Sequence, residues 1–347
     1  MGIMPGIRPL TLIPALLVGV SLGAPRATAQ QIAEGWEFSG DLRLRADLDD
    51  SLAGDGESLR ARLRLGASWQ IDEQLRLRLR ASTGDPDDAR EAYATFGDGF
   101  SRFDLELDQV YLDYRPDWAR GSQLTAGKFA YPFRRNPVYG QLVWDEDVQP
   151  EGLTLSYEQE EAGPFENLSF GFGQWAVFEN GTGADAWATV LHASGEIPWD
   201  GDQSLEIAAT FNWYNGTVAG AADFGILDAL VAWNWGDFVY STQVVSNLRA
   251  DDDEDGAGAA FGAAYDTSVG RFYYQFSAIE TDAVFASVAQ NDFLYSNNHT
   301  TQLVGWRRAL NETVGFGLSL AASDRAEEDL PGDEVVYRLR FDFDLSF

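Results

Sequence analysis

The stretch Glu334-Val-Val-Tyr-Arg-Leu-Arg-Phe-Asp-Phe-Asp-Leu-Ser-Phe347 places Val335, Tyr337, Leu339, Phe341, Phe343, Leu345 and Phe347 on one side of an extended chain. Arg338, Arg340, Asp342, Asp344 and Ser346 fall on the other. Side chains of a strand alternate between its two faces, so this segment asks for hydrocarbon on one face and water on the other. A strand needs roughly 9–11 residues to cross a bilayer, and this one is long enough. A transmembrane β-strand is the simplest structure that meets both demands.

The N-terminal end is consistent with export. Residues 1–29 carry Arg8, an apolar run from Leu10 to Leu22 and the small-x-small pattern Ala27-Thr-Ala29, which predicts a cleaved secretory signal peptide with the mature chain starting at Gln30. No later apolar run is long enough for a helical span. Residues 30–347 are therefore expected to form one domain, a transmembrane barrel. Cysteine is absent, which excludes disulfides and thiolate metal sites, and the residue pattern calls for no cofactor. The formal charge is −31, and −33 without the first 29 residues, because that segment holds two arginines and no acid. Such acidity disfavours nucleic acid, whose phosphates need Lys and Arg.

Reading the chain for period-two alternation predicts about sixteen antiparallel strands, with fourteen to eighteen as the range. The clearest are 36–46, 59–71 and 75–81. The others are 103–114, 122–130, 152–158, 167–178, 186–196, 204–214, 225–235, 238–248, 258–266, 271–280, 300–309, 313–322 and 334–347. In 103–114 the apolar phase slips at Asp108-Gln109, which suggests a bulge. With residue 30 on the periplasmic side, the outer loops are 47–58, 83–102, 131–151, 179–185, 215–224, 249–257, 281–299 and 323–333, and the inner turns are shorter. This asymmetry is typical of outer-membrane barrels.

Charge is unevenly spread inside such a barrel. Arg43, Arg45, Arg60, Arg62, Arg64, Arg76, Arg78 and Arg80 take inward positions on the first three strands. Closure against the last strand adds Arg338 and Arg340, so ten of the 23 arginines crowd four neighbouring strands. A dry interior would not tolerate that many like charges, so the lumen is expected to be wet or counter-charged. Candidate counter-charges are Asp85, Asp87, Asp88 and Glu91 in the second outer loop and Asp145, Glu146, Asp147 and Glu151 in the third. The third loop, long and carrying Trp144 and prolines, is the better candidate to fold inward. Either the arginines only brace loops through ion pairs, or opposed charged walls act on passing ions and dipoles.

The segments Gly40–Arg45, Arg60–Ala67, Leu107–Tyr114, Gly127–Phe133 and Trp144–Gly152 resemble the "putative porin" family of Gram-negative outer-membrane proteins, and the likeness spans the mature chain. Residues Tyr337, Leu339, Phe341, Phe343, Leu345 and Phe347 also resemble the insertion signal that ends such barrels. The resemblance implies a water-filled channel in the outer membrane, a homotrimer, surrounded by lipid and lipopolysaccharide, inserted by the barrel-insertion machinery and passing small hydrophilic solutes. It also implies a third loop that narrows the pore opposite a basic wall. An anion-selective channel with a saturable site on the arginines is the alternative.

Three other features have competing readings. His192 and Ser194 resemble the His-x-Ser of outer-membrane phospholipases, but Trp187, Leu191 and Ile197 take the lipid face of that strand and turn both residues inward; a lipid hydrolase is the remote alternative, and no enzyme is expected. Asp251-Asp-Asp-Glu-Asp-Gly256 has the start of a calcium loop, yet Gly262 stands where the twelfth-position Glu belongs, so a solvated acidic loop fits better. Trp36, Trp69, Trp213, Trp233 and Trp235 lie near strand ends, as interfacial girdles do.

Overall fold

A computed structural model describes residues 35–347 apart from 51–55, 86, 98, 100–101, 141, 179–184, 216–223, 251–254, 293 and 326–333. The expected signal peptide and the acidic run at 251–254 lie outside the described residues. The described residues form seventeen strands: β1 (Trp36–Asp50), β2 (Gly56–Gln70), β3 (Leu75–Thr83), β4 (Ala94–Thr95), β5 (Leu105–Tyr114), β6 (Ser122–Lys128), β7 (Glu151–Ala162), β8 (Phe165–Phe178), β9 (Ala186–Pro198), β10 (Gln203–Asn215), β11 (Gly225–Trp235), β12 (Phe238–Asn247), β13 (Ala257–Thr267), β14 (Gly270–Ile279), β15 (His299–Ala309), β16 (Val314–Arg325) and β17 (Glu334–Ser346). Apart from the two-residue β4, they are the sixteen spans expected from alternation, with small changes at their ends.

Each long strand pairs antiparallel with the next, and β1 pairs with both β2 and β17, so the sheet closes into a sixteen-stranded antiparallel barrel. The seam runs from Asp41 opposite Ser346 to Asp50 opposite Tyr337. It is extended by two backbone hydrogen bonds, from Gly40 N to Phe347 O at 2.7 Å and from Phe347 N to Gly40 O at 2.9 Å. Closure leaves no unpaired edge, which a bilayer would penalise.

Alternation then decides which residues meet lipid. Leu44, Leu65, Leu107, Leu155, Leu191, Val231, Phe272, Leu320 and Phe341 are exposed on the outer surface. The tryptophans expected in girdles also face outward; Trp36 stacks on Trp69 with ring centroids 5.6 Å apart, and Trp233 on Trp235 at 5.5 Å. Tight turns at one rim are closed by short polar side chains. Asp72 Oδ1 accepts from Gln74 N and Leu75 N at 2.8 and 2.9 Å, and Asn311 Oδ1 accepts from Thr313 N and Val314 N at 2.8 Å each. The expected bulge is present: Arg80 opposes Gln109 and Ala81 opposes Leu107, so Asp108 is the extra residue.

The lumen is where the structure adds most. An apolar cluster sits inside the barrel, built from Phe129 just after β6, from Tyr131, Phe133, Leu142, Val143, Trp144 and Val148 of the third outer loop and from Ala283, Val284, Phe285, Val288 and Ala289 of the seventh. It packs on inward-facing Trp175, Ala188, Val190, Tyr214, Ile226, Val245, Ala260 and Ile279. These two loops thus sit against β8 to β14, and the arginine-bearing strands face them from the opposite wall.

Candidate functional site

The basic wall is built by register. Across the seam, Arg43 lies opposite Asp344, Arg45 opposite Asp342, Asp47 opposite Arg340 and Asp49 opposite Arg338. On adjacent antiparallel strands such directly opposed residues are the closest cross-strand neighbours, so opposite charges meet at four successive inward positions. Arg338 reaches Asp49 through Nε and Nη2 at 2.7 and 2.8 Å, and Arg45 reaches Asp342 through Nε at 2.7 Å. Arg43 Nε lies 2.5 Å from Asp344 Oδ1, and Arg340 Nε is 2.8 Å from Asp47 Oδ1.

The side of β1 that faces β2 would repel, since Arg43 opposes Arg62 and Arg45 opposes Arg60. Carboxylates from β1 and from the loops relieve it. Arg60 pairs with Asp47 and, at 3.1 Å, with Glu91; Arg62 lies 3.3 Å from Glu146 and 3.5 Å from Asp41; Arg64 pairs with Asp147. Tyr93 lies beneath the guanidinium groups of Arg45, Arg60 and Arg62, with its ring centroid 4.4, 5.2 and 5.5 Å away. Further round, Arg78 meets Asp113 at 3.1 Å, Arg80 meets the bulge residue Asp108, and Arg76 donates to Gln70 Oε1 at 2.6 Å. Carboxylates therefore stand among the crowded arginines. Among the described residues, nine of the ten arginines have a carboxylate within ion-pair distance, Arg76 being the exception.

Three loops supply the opposite side. The third is pinned at several points: Arg134 to Glu206 at 2.6 Å, Asn136 Oδ1 accepting from Ser241 Oγ at 3.0 Å, and Arg271 donating to Pro137 O at 3.1 Å. It meets the seventh loop through Asp145 N to Val288 O at 2.7 Å and Asn291 N to Asp145 Oδ2 at 3.1 Å. The second joins through Arg90, which donates to Ala286 O at 2.7 Å and Ser296 Oγ at 3.2 Å.

The four acids expected at the constriction divide. Glu146 and Asp147 face the arginines. Desolvation inside the barrel raises the Glu146 carboxyl, but Arg62, Arg64 and Arg43 outweigh it and hold the group below its usual range. Asp145 turns the other way: it is buried, accepts from Asp147 N at 2.8 Å and from Asn291 N, and links loop to loop. Burial, then the neighbouring Asp292 and Glu146, pushes it up to about 8. Glu151 is placed away from the arginine wall, because in β7 it shares the outward parity of Leu153 and Leu155 and lies 3.9 Å from Lys128. The residue that the sequence reading missed is Asp292 of the seventh loop, which contacts Arg340 at 2.9 Å and Arg45 at 3.4 Å. Despite desolvation, those arginines keep it well below the usual carboxylate range. A cavity of about 200 Å³ lies among Arg45, Arg60, Tyr93, Asp147, Asp292 and Arg340.

His192 faces inward, stacked on Phe133 at 4.7 Å and bonded through Nδ1 to Thr210 Oγ1 at 2.9 Å. It is used in seating the third loop. Among the described residues no group of His, Cys, Asp and Glu is arranged to hold a metal ion.

Comparison with known proteins agrees with this architecture. The family model described as "putative porin" matches residues 49–281. Among solved structures, Salmonella typhi OmpF superposes with a TM-score of 0.60 at 11% identity, covering 90% of this chain and 97% of that one. Pseudomonas putida OprB gives 0.55 at 10% identity over 90% and 93%, and a Rh. blastica porin variant 0.51 at 13% over 89% and 100%. No curated protein matches. A closed sixteen-stranded barrel, with a lipid-facing apolar belt and a charged lumen narrowed by loops, matched over most of its length by that model, makes this chain a member of the "putative porin" family of outer-membrane channels.

Proposed function

We propose that solutes cross this porin by passive diffusion through the strip between the guanidinium–carboxylate wall and the seated third and seventh loops, with weak ion selectivity. The observation that carries this reading is the pairing of the wall. Nine of its ten arginines have a carboxylate within ion-pair distance, so their field falls off over a few ångströms and does not add up to a strong anion attractor. The formal charge of −31 enriches cations at the mouth. A lumen lined by paired charges, with a cavity of about 200 Å³ among them, suits small hydrophilic solutes rather than apolar ones. Substrate-selective anion transport, the alternative, needs guanidinium donors that the chain's own acids do not fill.

By analogy with the barrel proteins it resembles, one of which, Vibrio cholerae OmpT, was solved in a trimer form, the chain works as a homotrimer in the outer membrane. Its export signal ends at residue 29, and its last strand, with Tyr337, Leu339, Phe341, Phe343, Leu345 and Phe347 on the lipid face, is read by the insertion machinery.

Planar-bilayer recording tests the core of this. The wild-type protein is expected to give stepwise conductance that rises with salt and a reversal potential slightly on the cation side in a KCl gradient. Arg62→Glu with Arg78→Glu is expected to move it further toward cations. Unchanged selectivity would reduce the arginines to loop braces, and no conductance would remove the channel reading. Fatty-acid release lost on Ser194→Ala would revive the hydrolase.

A further inference from the structure

The carboxylate that the seventh loop brings to the wall is not the one that balances either arginine it touches. Arg45 already holds Asp342 through Nε and Nη2 at 2.7 and 3.3 Å, and Arg340 holds Asp47 through Nε at 2.8 Å. What Asp292 meets is the remaining Nη1 of each, at 3.4 and 2.9 Å, and both contacts converge on the single oxygen Oδ1. The two donors come from adjacent strands, β1 and β17, so the sheet itself sets their spacing. They are rigidly held. The Arg45 and Arg340 side chains are 6% and 10% exposed, whereas that of Asp292 is 44% exposed. Tyr93 supports Arg45 from below, and the cavity opens beside the pair.

This is the arrangement of a binding site with a ligand in it. Guanidinium N–H groups fixed by their own structural carboxylates and aimed at one point hold a single anionic oxygen, and the oxygen seated there in this chain belongs to a carboxylate. We propose that the Nη1 groups of Arg45 and Arg340 form a carboxylate-binding subsite of the channel, and that Asp292 is a tethered occupant which a solute carboxylate displaces in passing. The inference rests on the channel reading above and names one solute class that reading leaves open. A tethered ligand competes at high effective concentration, so free carboxylates bind the native channel weakly and the subsite is largely masked.

The test is conductance of the full-length protein in planar bilayers, in potassium acetate and potassium chloride at matched concentrations, for wild type and Asp292→Asn. Folding is checked by heat-modifiable gel mobility. In Asp292→Asn, acetate conductance is expected to saturate at a concentration lower by roughly tenfold, chloride conductance to stay linear, and the reversal potential to move toward anions. Adding Arg340→Gln is expected to abolish the saturation. Linear acetate conductance in Asp292→Asn overturns the proposal, and so does equal saturation by chloride or saturation that survives Arg340→Gln. If the double variant does not fold, the acetate–chloride comparison in Asp292→Asn alone decides. A silent wild type removes the channel reading itself, whereas a conducting wild type with no acetate effect in Asp292→Asn removes only the subsite.

Discussion

Asp145, Glu146 and Asp147 are consecutive carboxylates with two different fates. Glu146 and Asp147 pair with Arg62 and Arg64, and for Glu146 the neighbouring guanidinium groups favour the charged form. Asp145 is buried between the third and seventh loops with no arginine in ion-pair contact among the described residues, and burial raises it to about 8 from 3.8. The folded protein therefore keeps a proton that the unfolded chain has released. Stability contributed by this group is complete below about pH 4, falls as pH rises, and is lost above about pH 8, with a slope of at most about 1.4 kcal/mol per pH unit. Urea unfolding in detergent between about pH 5 and pH 7.5 is expected to show that slope in wild type and a flatter profile in Asp145→Asn. Identical profiles would mean the carboxyl is ionised in the folded state. Sequence could place acids in a long loop. Which of three neighbours turns inward depends on where Asn291 lies, 146 positions away.

At the scale of elements, the third loop is seated by what β8 and β9 lack. A Cβ on Gly171 would fall 2.1 Å from Phe133 Cε1, so the inward glycine leaves room for a ring that also stacks on Trp175 and His192. Gly171→Val is expected to unseat Phe133, to cost about 1–3 kcal/mol by overpacking, and to raise single-channel conductance as the loop loosens. Unaltered conductance and stability would show that the ring is not held there. The signal for this seat was in the sequence. In β9, Ala186, Ala188 and Val190 alternate with Trp187, Thr189 and Leu191, so the first half of the strand is small or apolar on both faces; in β11, Ile226, Leu230 and Ala232 turn inward with Asp228 among them. A strand with a purely aqueous lumen would carry polar residues there. Apolar residues on both faces of that half of β9 mean that something apolar lies inside.

For the whole molecule the decisive contact is the seam between β1 and β17, which join residues nearly 300 positions apart. Arg338 and Asp49 form a two-point pair across it. Asp49→Arg places two arginines face to face and is expected to lower stability by about 1–2 kcal/mol, given the partial exposure of both groups. Combining it with Arg338→Asp is expected to restore most of the loss. A double variant no better than the single one would indicate another register at the seam. Closure also explains why so many arginines are tolerated: each strand alone is strongly basic or mixed, and only their assembled register brings the carboxylates of β1, β17 and three loops among them.

Strand number, facing, the bulge at Asp108 and the fold class were all readable from residue order, because a period of two is a local property and lipid on one side makes it strict. The same local rule put all ten arginines inward. It could not tell which acids would pair with them, or that Asp292 would join the wall. Those depend on which residues meet across strands and on where long loops come to rest. Such contacts join positions tens to hundreds apart, and they exist only once the cylinder has closed.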